Sequence, residues 1–478
     1  MTQTDQAAGL SDVAARIWGE VGGPAGLTDA LTVTGPRTVL PSLFDVTGLA
    51  TASVAAATLA AAEFMAVSRG GPALPVTVDS HQACAAFAAE ALFTPLGWER
   101  PGIWDPIAGN YLARDGWIRL HTNYAYHRAA VERLLGAADR ESLQAAVAKW
   151  NAEDLETAVV EAGGCAAVMR TREGWLATPA GAATVGVPLT AVADRPLPDL
   201  PLAERSYVLA DAAAGGPLPY AGVRVLDVTR VIAGPVGTRF LAAYGAEVVR
   251  IDPPGFAEVP ALLPETTAGK RTTALDLTSA AGRTAFEALV SGADVLVCGL
   301  RADALARLGY DDAALGALNP ALIVASLDAY GWDGPWRDRR GFDSLVQMSS
   351  GIAAAGAAAG GADHPVPLPV QALDHACGYL TAAAVGRALT RRAAQSTVSR
   401  IRLSLIGTAS LLWSLPRPAE RPPMPNPGDF PLTDARTAWG PARRVPLPGA
   451  IAGIDPRWRV EAGPLGRHRP VWALQPGG

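Results

Sequence analysis

Four apolar runs rich in β-branched residues constrain this chain more than any other feature. VRVLDV (223–228), AEVVRID (246–252), ADVLVCGL (293–300) and ALIVASLDAYG (321–331) each have the length of a buried strand. Segments of helical character separate them: TRFLAAYG (238–245), AAGRTAFEALVSG (280–292) and RADALARLG (301–309). Near-continuous apolar strands alternating with helices imply strands covered on both faces, and hence a parallel, doubly wound sheet. TRVIAGPVG (229–237) reads as the turn after the first strand.

A chain of 478 residues has room for two or three cores. GNYLARDGWIRLHT (109–122) has the pattern of a β-hairpin centred on Asp115–Gly116. It leads into residues 130–163, which read as two amphipathic helices, so a smaller α+β domain is expected around 100–185. The Pro- and Gly-rich stretch that follows lacks periodicity, as linkers do. The expected division is 1–195 for a first part with a long helix and the small domain, 196–217 for a linker, and 218–478 for the sheet domain and a C-terminal return segment.

The two parts share a pattern. LPSLFDVTGLATASVAAATLAA (40–61) echoes VQALDHACGYLTAAAVGRAL (370–389), and LPVTVDSHQACAAFAAEAL (74–92) echoes STVSRIRLSLIGTASLLW (396–413). Each copy runs acid, helix, strand-like segment, helix, which reads as a duplication. The acids are Asp45 and Asp374, and an Asp before an apolar helix is first of all a candidate N-cap.

Several function classes are disfavoured. A net charge of −5 gives no basic footprint for nucleic acid. The four cysteines (Cys84, Cys165, Cys298, Cys377) form no CxxC pair and the six histidines no HExxH, so neither a protein metal site nor a disulfide framework is expected. The N-terminus has no basic and apolar leader pattern, and the alanine-dominated run 49–67 carries Glu63, so it reads as a buried helix. A cytoplasmic chain without a membrane or nucleic-acid partner is expected. Strand, turn, helix and a strand ending at Asp252 suggest a dinucleotide site, but that needs GxGxxG directly after the strand, where this chain has AGPVG.

The motifs resemble instead the class III CoA-transferase family, which includes formyl-CoA and carnitine CoA-transferases and has α-methylacyl-CoA racemases as relatives. The resemblance rests on 218–252, GKRTTALDL (269–277), LNPALIVASLDAYGWDGPWRDRRGFDSLVQMSSG (318–351), PLPVQALDHACGYLTAAA (367–384) and PLGRHRPVW (464–472). Residues 40–185 resemble the family's later part, the active-site helix followed by the small domain. The resemblance therefore implies an α/β fold with a Rossmann-like parallel sheet domain and a smaller α+β domain, in rearranged and partly duplicated order. It implies a homodimer, acyl-CoA and a carboxylic acid as substrates, and no permanently bound cofactor beyond coenzyme A as substrate.

For the site, the resemblance makes Asp374 the nucleophile that attacks the thioester and forms a mixed anhydride. A carboxylate of ordinary pKa, about 3.9, is ionised at neutral pH and needs no partner base. In the family a glycine follows the acid by four positions, as Gly378 follows Asp374; Gly48 follows Asp45 by three. One residue of slip turns a helical side chain by about 100°, which leaves Asp45 as a cap in a degenerate copy. Arg230, Val231 and Ala233 fall where the family lines its CoA pocket. Lys270, Arg271 and Arg307 resemble phosphate-contacting residues, and Arg340, with Asp343 and Gln347, lies on the segment facing the site. Cys298–Gly299–Leu300 departs from the family's Glu-Asn-Phe, and Gly341–Phe342–Asp343 lacks the histidine of the racemases. Racemase chemistry and non-catalytic CoA binding are the alternatives.

Overall fold

The computed structural model describes residues 3–197 and 218–473, with side chains from residue 9 onward. Most of the expected linker, 198–217, lies outside the described residues.

A seven-stranded sheet organises the chain. Its strands in chain order are β1 (Ala191–Pro196), β2 (Arg224–Val228), β3 (Glu247–Asp252), β4 (Lys270–Ala274), β5 (Val295–Cys298), β6 (Ile323–Asp328) and β7 (Thr397–Ser404). They lie in the order β4-β3-β2-β5-β6-β7-β1, all parallel except β1, which pairs antiparallel with β7. Counted from β2, the parallel strands follow the 3-2-1-4-5-6 order of a Rossmann-type sheet, and the order reverses between β2 and β5. The four strands read from the sequence are all present, shortened at their ends. The expected linker start is corrected: residue 196 is still in the edge strand that the first part of the chain lends to this sheet.

Other readings change at element ends. AGPVG is not a turn: the helix Ala233–Ala243 begins inside it. Pro235 is tolerated there because first-turn N–H groups have no intrahelical partner to lose. Only 229–232 turns, and Val231 at its tip holds φ +62°, a left-handed backbone that is an outlier for a β-branched residue. The expected helix over 301–309 shrinks to Ala304–Arg307.

In the small unit the strands Gly109–Leu112 and Trp117–Leu120 form the expected hairpin, with Ala113 N–H donating to Gly116 O at 2.9 Å. Ala166–Val168 adds a third strand. The expected two helices are three, Ala125–Leu135, Arg140–Val147 and Ala152–Glu161. Gly136 ends the first in a left-handed conformation (φ +63°), and Asp139 caps the second.

The two copies agree in element order. Helix Val46–Arg69, strand Val76–Asp79 and helix Ser80–Phe87 match helix Ala372–Gln395, β7 and helix Leu405–Ser414, and both long helices have 24 residues. Leu31–Thr34 pairs parallel with Val76–Asp79, so the first copy keeps a two-stranded β-α-β stub. The two long helices pack along each other inside one core that draws on both copies. Every residue from Val46 to Phe64 is buried, which explains that helix's apolar composition. At the C-terminus, His468 N–H donates to Thr272 O at 2.8 Å and Trp472 is buried, so the return segment closes over the β4 edge.

Candidate active site

The turn after β2 and the segment after β5 flank the point where strand order reverses, and a cleft of about 410 Å³ opens there. This is where open α/β sheets bind ligands. Arg230, Val231 and Ala233 come from the first turn, Gly299, Leu300 and Arg301 from the second. Arg337, Arg339 and Arg340 arrive from the run before Phe342, and Tyr124, Tyr126 and His127 from the small unit. Asp374 lines it as well. It also lines a second cavity of about 190 Å³, so it stands where two chambers meet.

How the chain holds Asp374 corrects the capping reading. The helix starts at Ala372 and its N-cap position is Gln371, which makes no side-chain cap bond. Asp343, from the helix Asp343–Ser349, caps it instead: one carboxylate oxygen accepts from Leu373 N–H at 2.8 Å and Asp374 N–H at 2.9 Å. Gln347 braces this contact, donating to Asp343 and accepting from Leu368 N–H at 2.7 Å. His375 Nε2 meets Glu90 Oε2 at 2.9 Å, and its ring stacks on Phe87. Asp374's own carboxyl has no hydrogen-bond or ion-pair partner among the described residues. Burial, followed by the neighbouring Asp343 and Glu90, raises its pKa well above the usual carboxylate range. The expectation of an ordinary, already ionised carboxylate is thereby corrected. Asp343 is itself pushed up to about 6, by burial outweighing its hydrogen bonds.

Asp45 behaves differently, as the glycine spacing predicts. It is the N-cap of its helix, accepting from Gly48 N–H at 2.8 Å, and Arg37 grips both its oxygens at 2.7 and 2.5 Å. A Cβ at Gly48 would collide with the Asp45 carboxylate, so that glycine makes room for the cap. Gly378 serves another purpose. A Cβ at Gly237 would lie 2.6 Å from Gly378 O, and one at Gly378 2.8 Å from Val236 Cβ. The helix after β2 and the Asp374 helix cross at these two glycines, which sets Asp374 beside the Arg230–Ala233 turn.

The predicted binding residues divide into two groups. Arg230, Val231, Ala233 and Arg340 line the cleft with Asp374; Lys270, Arg271 and Arg307 do not. Lys270 is fully buried, 2.8 Å from Asp227 and 3.0 Å from Pro235 O. It ties β4 to β2 and to the helix after it, so the phosphate expectation for Lys270 is corrected. Burial lowers its pKa to about 8 against the pull of Asp227. Arg271 donates to Val471 O at 2.6 Å and sits 3.3 Å from Glu247. Arg307 is half-exposed and paired with Asp303 at 2.6 Å. Asp252, which a nucleotide ribose would need, is held by Arg250 at 3.0 Å and Arg230 at 3.3 Å.

Arg301, Arg337 and Arg339 were not singled out by sequence reasoning, although the run WRDRRG (336–341) carries two of them. Arg339 is partly spent on Glu156 at 3.2 Å. Arg301 and Arg340 have no ion pair among the described residues, and each raises the positive potential at the other. A cleft with unspent guanidinium groups suits a polyanion. Tyr124 also enters from the first part, donating at 2.5 Å to Glu258, whose other oxygen accepts from Val231 N–H at 3.2 Å. The strained residue of the turn is therefore pinned by the small unit, as backbone strain at a site requires.

Residues 220–427 match the family described as CoA-transferase family III. Among curated relatives, "Probable fatty acyl-CoA transferase Rv3272" of Mycobacterium tuberculosis is 30% identical over 228 residues, covering 44% of this chain and 57% of the relative. The succinate–glutarate CoA-transferase of Agrobacterium fabrum is 34% identical over 152 residues, 28% of this chain and 38% of its own. The formyl-CoA:oxalate CoA-transferase of Rhodopseudomonas palustris is 32% identical over 144 residues, 28% and 34% of the two chains. The chain thus spans little more than half the length of the first of these and about a third of the others. A crystal structure of the mycobacterial protein overlaps 40% of this chain and 56% of its own at 28% identity, with a TM-score of 0.36.

Proposed function

We propose that this chain moves CoA from an acyl-CoA to a carboxylic acid, with Asp374 as the nucleophile. The observation that carries this reading is the contrast among buried acids. Asp343, Glu90 and Asp45 are each engaged by backbone N–H, imidazole or guanidinium groups, whereas the Asp374 carboxyl is left without a partner at the meeting point of two chambers. In the first step a carboxylate oxygen of Asp374 bonds to the thioester carbonyl carbon. The C–S bond breaks, and its electron pair leaves with CoA as a thiolate. The thiolate then attacks the aspartyl carbonyl of the anhydride, which frees the donor acid as a carboxylate and leaves an aspartyl thioester of CoA. The acceptor carboxylate runs the same two steps in the opposite sense, which returns Asp374 and releases the new acyl-CoA. Every bond broken is matched by one formed, with no oxidant or reductant. Arg301 and Arg340 supply positive charge for the phosphates of CoA, beside Arg230, whose guanidinium is paired with Asp252.

The test sets the two acids against each other. Hydroxylamine should trap an acyl group on the wild-type protein, and peptide mapping should find the hydroxamate in QALDHACGYL. Asp374→Asn should abolish transfer, since an amide cannot form the anhydride. Asp45→Asn should keep turnover but lose about 2–4 kcal/mol of stability, as a cap and a buried ion pair are both broken. Transfer that survives Asp374→Asn would remove Asp374 from the chemistry.

A further inference from the structure

Resting on the reading of Asp374 as the acyl-accepting group, we infer that the smaller chamber behind it is the acyl site and that it selects short, uncharged apolar acyl groups over dicarboxylic ones. The chamber holds about 190 Å³ and joins the arginine-lined cleft at Asp374, Val231 and Phe342. A thioester carbonyl at Asp374, with CoA in the arginine cleft, therefore has its acyl chain directed into this second space. Its walls are mostly apolar: Ala88, Ala91, Ile103 and Trp104 from the first part of the chain, Ile232 and Leu262 from the second. An apolar cavity of about 150 Å³ accepts benzene, so this one has room for a chain of about four to six carbons.

Charge sets the selectivity. Among the described residues no lysine or arginine lines the chamber. Of its polar groups, Ser344 and Gln371 are neutral and make no side-chain hydrogen bond among the described residues, and the others are spent, neutral or carry the wrong sign for a second carboxylate. Asn123 accepts from Asp105 N–H at 2.9 Å and donates to Ile103 O at 3.2 Å. His121 lies face to face on Phe342, ring centres 3.7 Å apart, and burial with Arg119 nearby keeps it neutral. Glu90 is buried, yet His375, its own backbone N–H and Arg239 together outweigh that burial and keep its carboxyl below the usual range, hence ionised. The terminal carboxylate of a succinyl or glutaryl group would find no cation among the lining residues, with Arg119 held over the Trp104 ring outside them, and would face Glu90. Like charges brought together in a dry site cost several kcal/mol, which corresponds to about a hundredfold or more in selectivity.

Calorimetric affinity for butyryl-CoA and succinyl-CoA, measured on the full chain, reads the chamber without requiring turnover. Butyryl-CoA should bind about a hundredfold more tightly than succinyl-CoA. Equal or tighter binding of succinyl-CoA overturns the inference. Release of CoA thiol from the same donors in hydroxylamine reports the chemistry separately. A protein that prefers butyryl-CoA yet releases no thiol keeps the chamber and loses the transfer reading; one that turns over both donors equally keeps the transfer and loses the chamber. Two variants locate the site. Ile103→Trp should lower the hexanoyl-to-acetyl affinity ratio by about tenfold by filling the space, and Trp104→Ala should raise it. A ratio unchanged in both variants puts the acyl chain elsewhere.

Discussion

At the scale of single residues, the environment of Asp374 ties its chemistry to pH. A buried carboxyl facing two other acids holds its proton further up the pH scale than an isolated one, and the anion is the form that can attack a thioester. The kcat/KM of transfer should therefore rise with pH along a limb set well above the ordinary carboxylate range, and Asp343→Asn, which removes one neighbouring charge, should move that limb to lower pH. Asp374 and Asp343 interact, so the limb belongs to the pair. Stability should run the other way. With folded-state values above the unfolded value of about 3.9, the contribution of these acids is full below that value and is lost as pH rises through the folded ones, about 6 for Asp343 and higher for Asp374. The melting temperature of Asp374→Asn should thus gain on wild type as pH is raised; a constant gap between them would show that Asp374 titrates normally. The sequence disclosed Asp45 as a cap, because the relevant glycine lies three residues away. It could not disclose the state of Asp374, whose neighbours Asp343 and Glu90 are brought to it by the fold from far along the chain.

At the scale of elements, strands and the hairpin were legible because periodicity and turn residues are local signals. The errors fall where a distant group decides a local outcome. The Asp374 helix begins at Ala372 without a side-chain cap from its own N-cap residue, because Asp343 arrives from another helix to take its first N–H groups. Lys270 reads as a surface cation beside Arg271, yet the alternation along β4 turns it inward to Asp227 while Arg271 faces the return segment. The helix crossing at Gly237 and Gly378 is a third case: the glycine belongs to the family pattern, but its reason is the backbone of another helix. Gly378→Ala has nowhere to put a methyl group except against Ala233 O and Val236. Overpacking of this kind costs about 1–3 kcal/mol, and a shift of about 1 Å at the proposed nucleophile can cost a hundredfold in rate. The variant should therefore fold with a lowered melting temperature and lose far more activity than that loss of stability explains. Normal turnover in a folded Gly378→Ala protein would show that the crossing does not position Asp374.

At the scale of the whole molecule, the first part of the chain is a wall of the site as well as a partner in the core. It gives Tyr124, Tyr126 and His127 to the arginine cleft and Ile103, Trp104 and Glu90 to the smaller chamber. It also gives β1 to the main sheet and the helix Val46–Arg69 to the surface of the Asp374 helix. Where these helices meet, a Cβ at Gly386 would lie 2.9 Å from Ala60 Cβ, so the contact is close enough to exclude water. Arg387 reaches across it to Glu63 and to Gly22 O at 2.8 Å. Removing the first part would bare the apolar face of the Asp374 helix and the β7 edge together, a combination that favours aggregation. Residues 218–478 expressed alone should therefore be insoluble or inactive. Co-expressed with residues 1–197 as a separate chain, they should be recovered as a stable one-to-one complex, with hydroxylamine-dependent CoA release restored, because the interface is core-like. Soluble, fully active 218–478 on its own would mean that the sheet part builds both chambers without the first part, and that Glu90, Trp104 and Tyr124 are dispensable to the site.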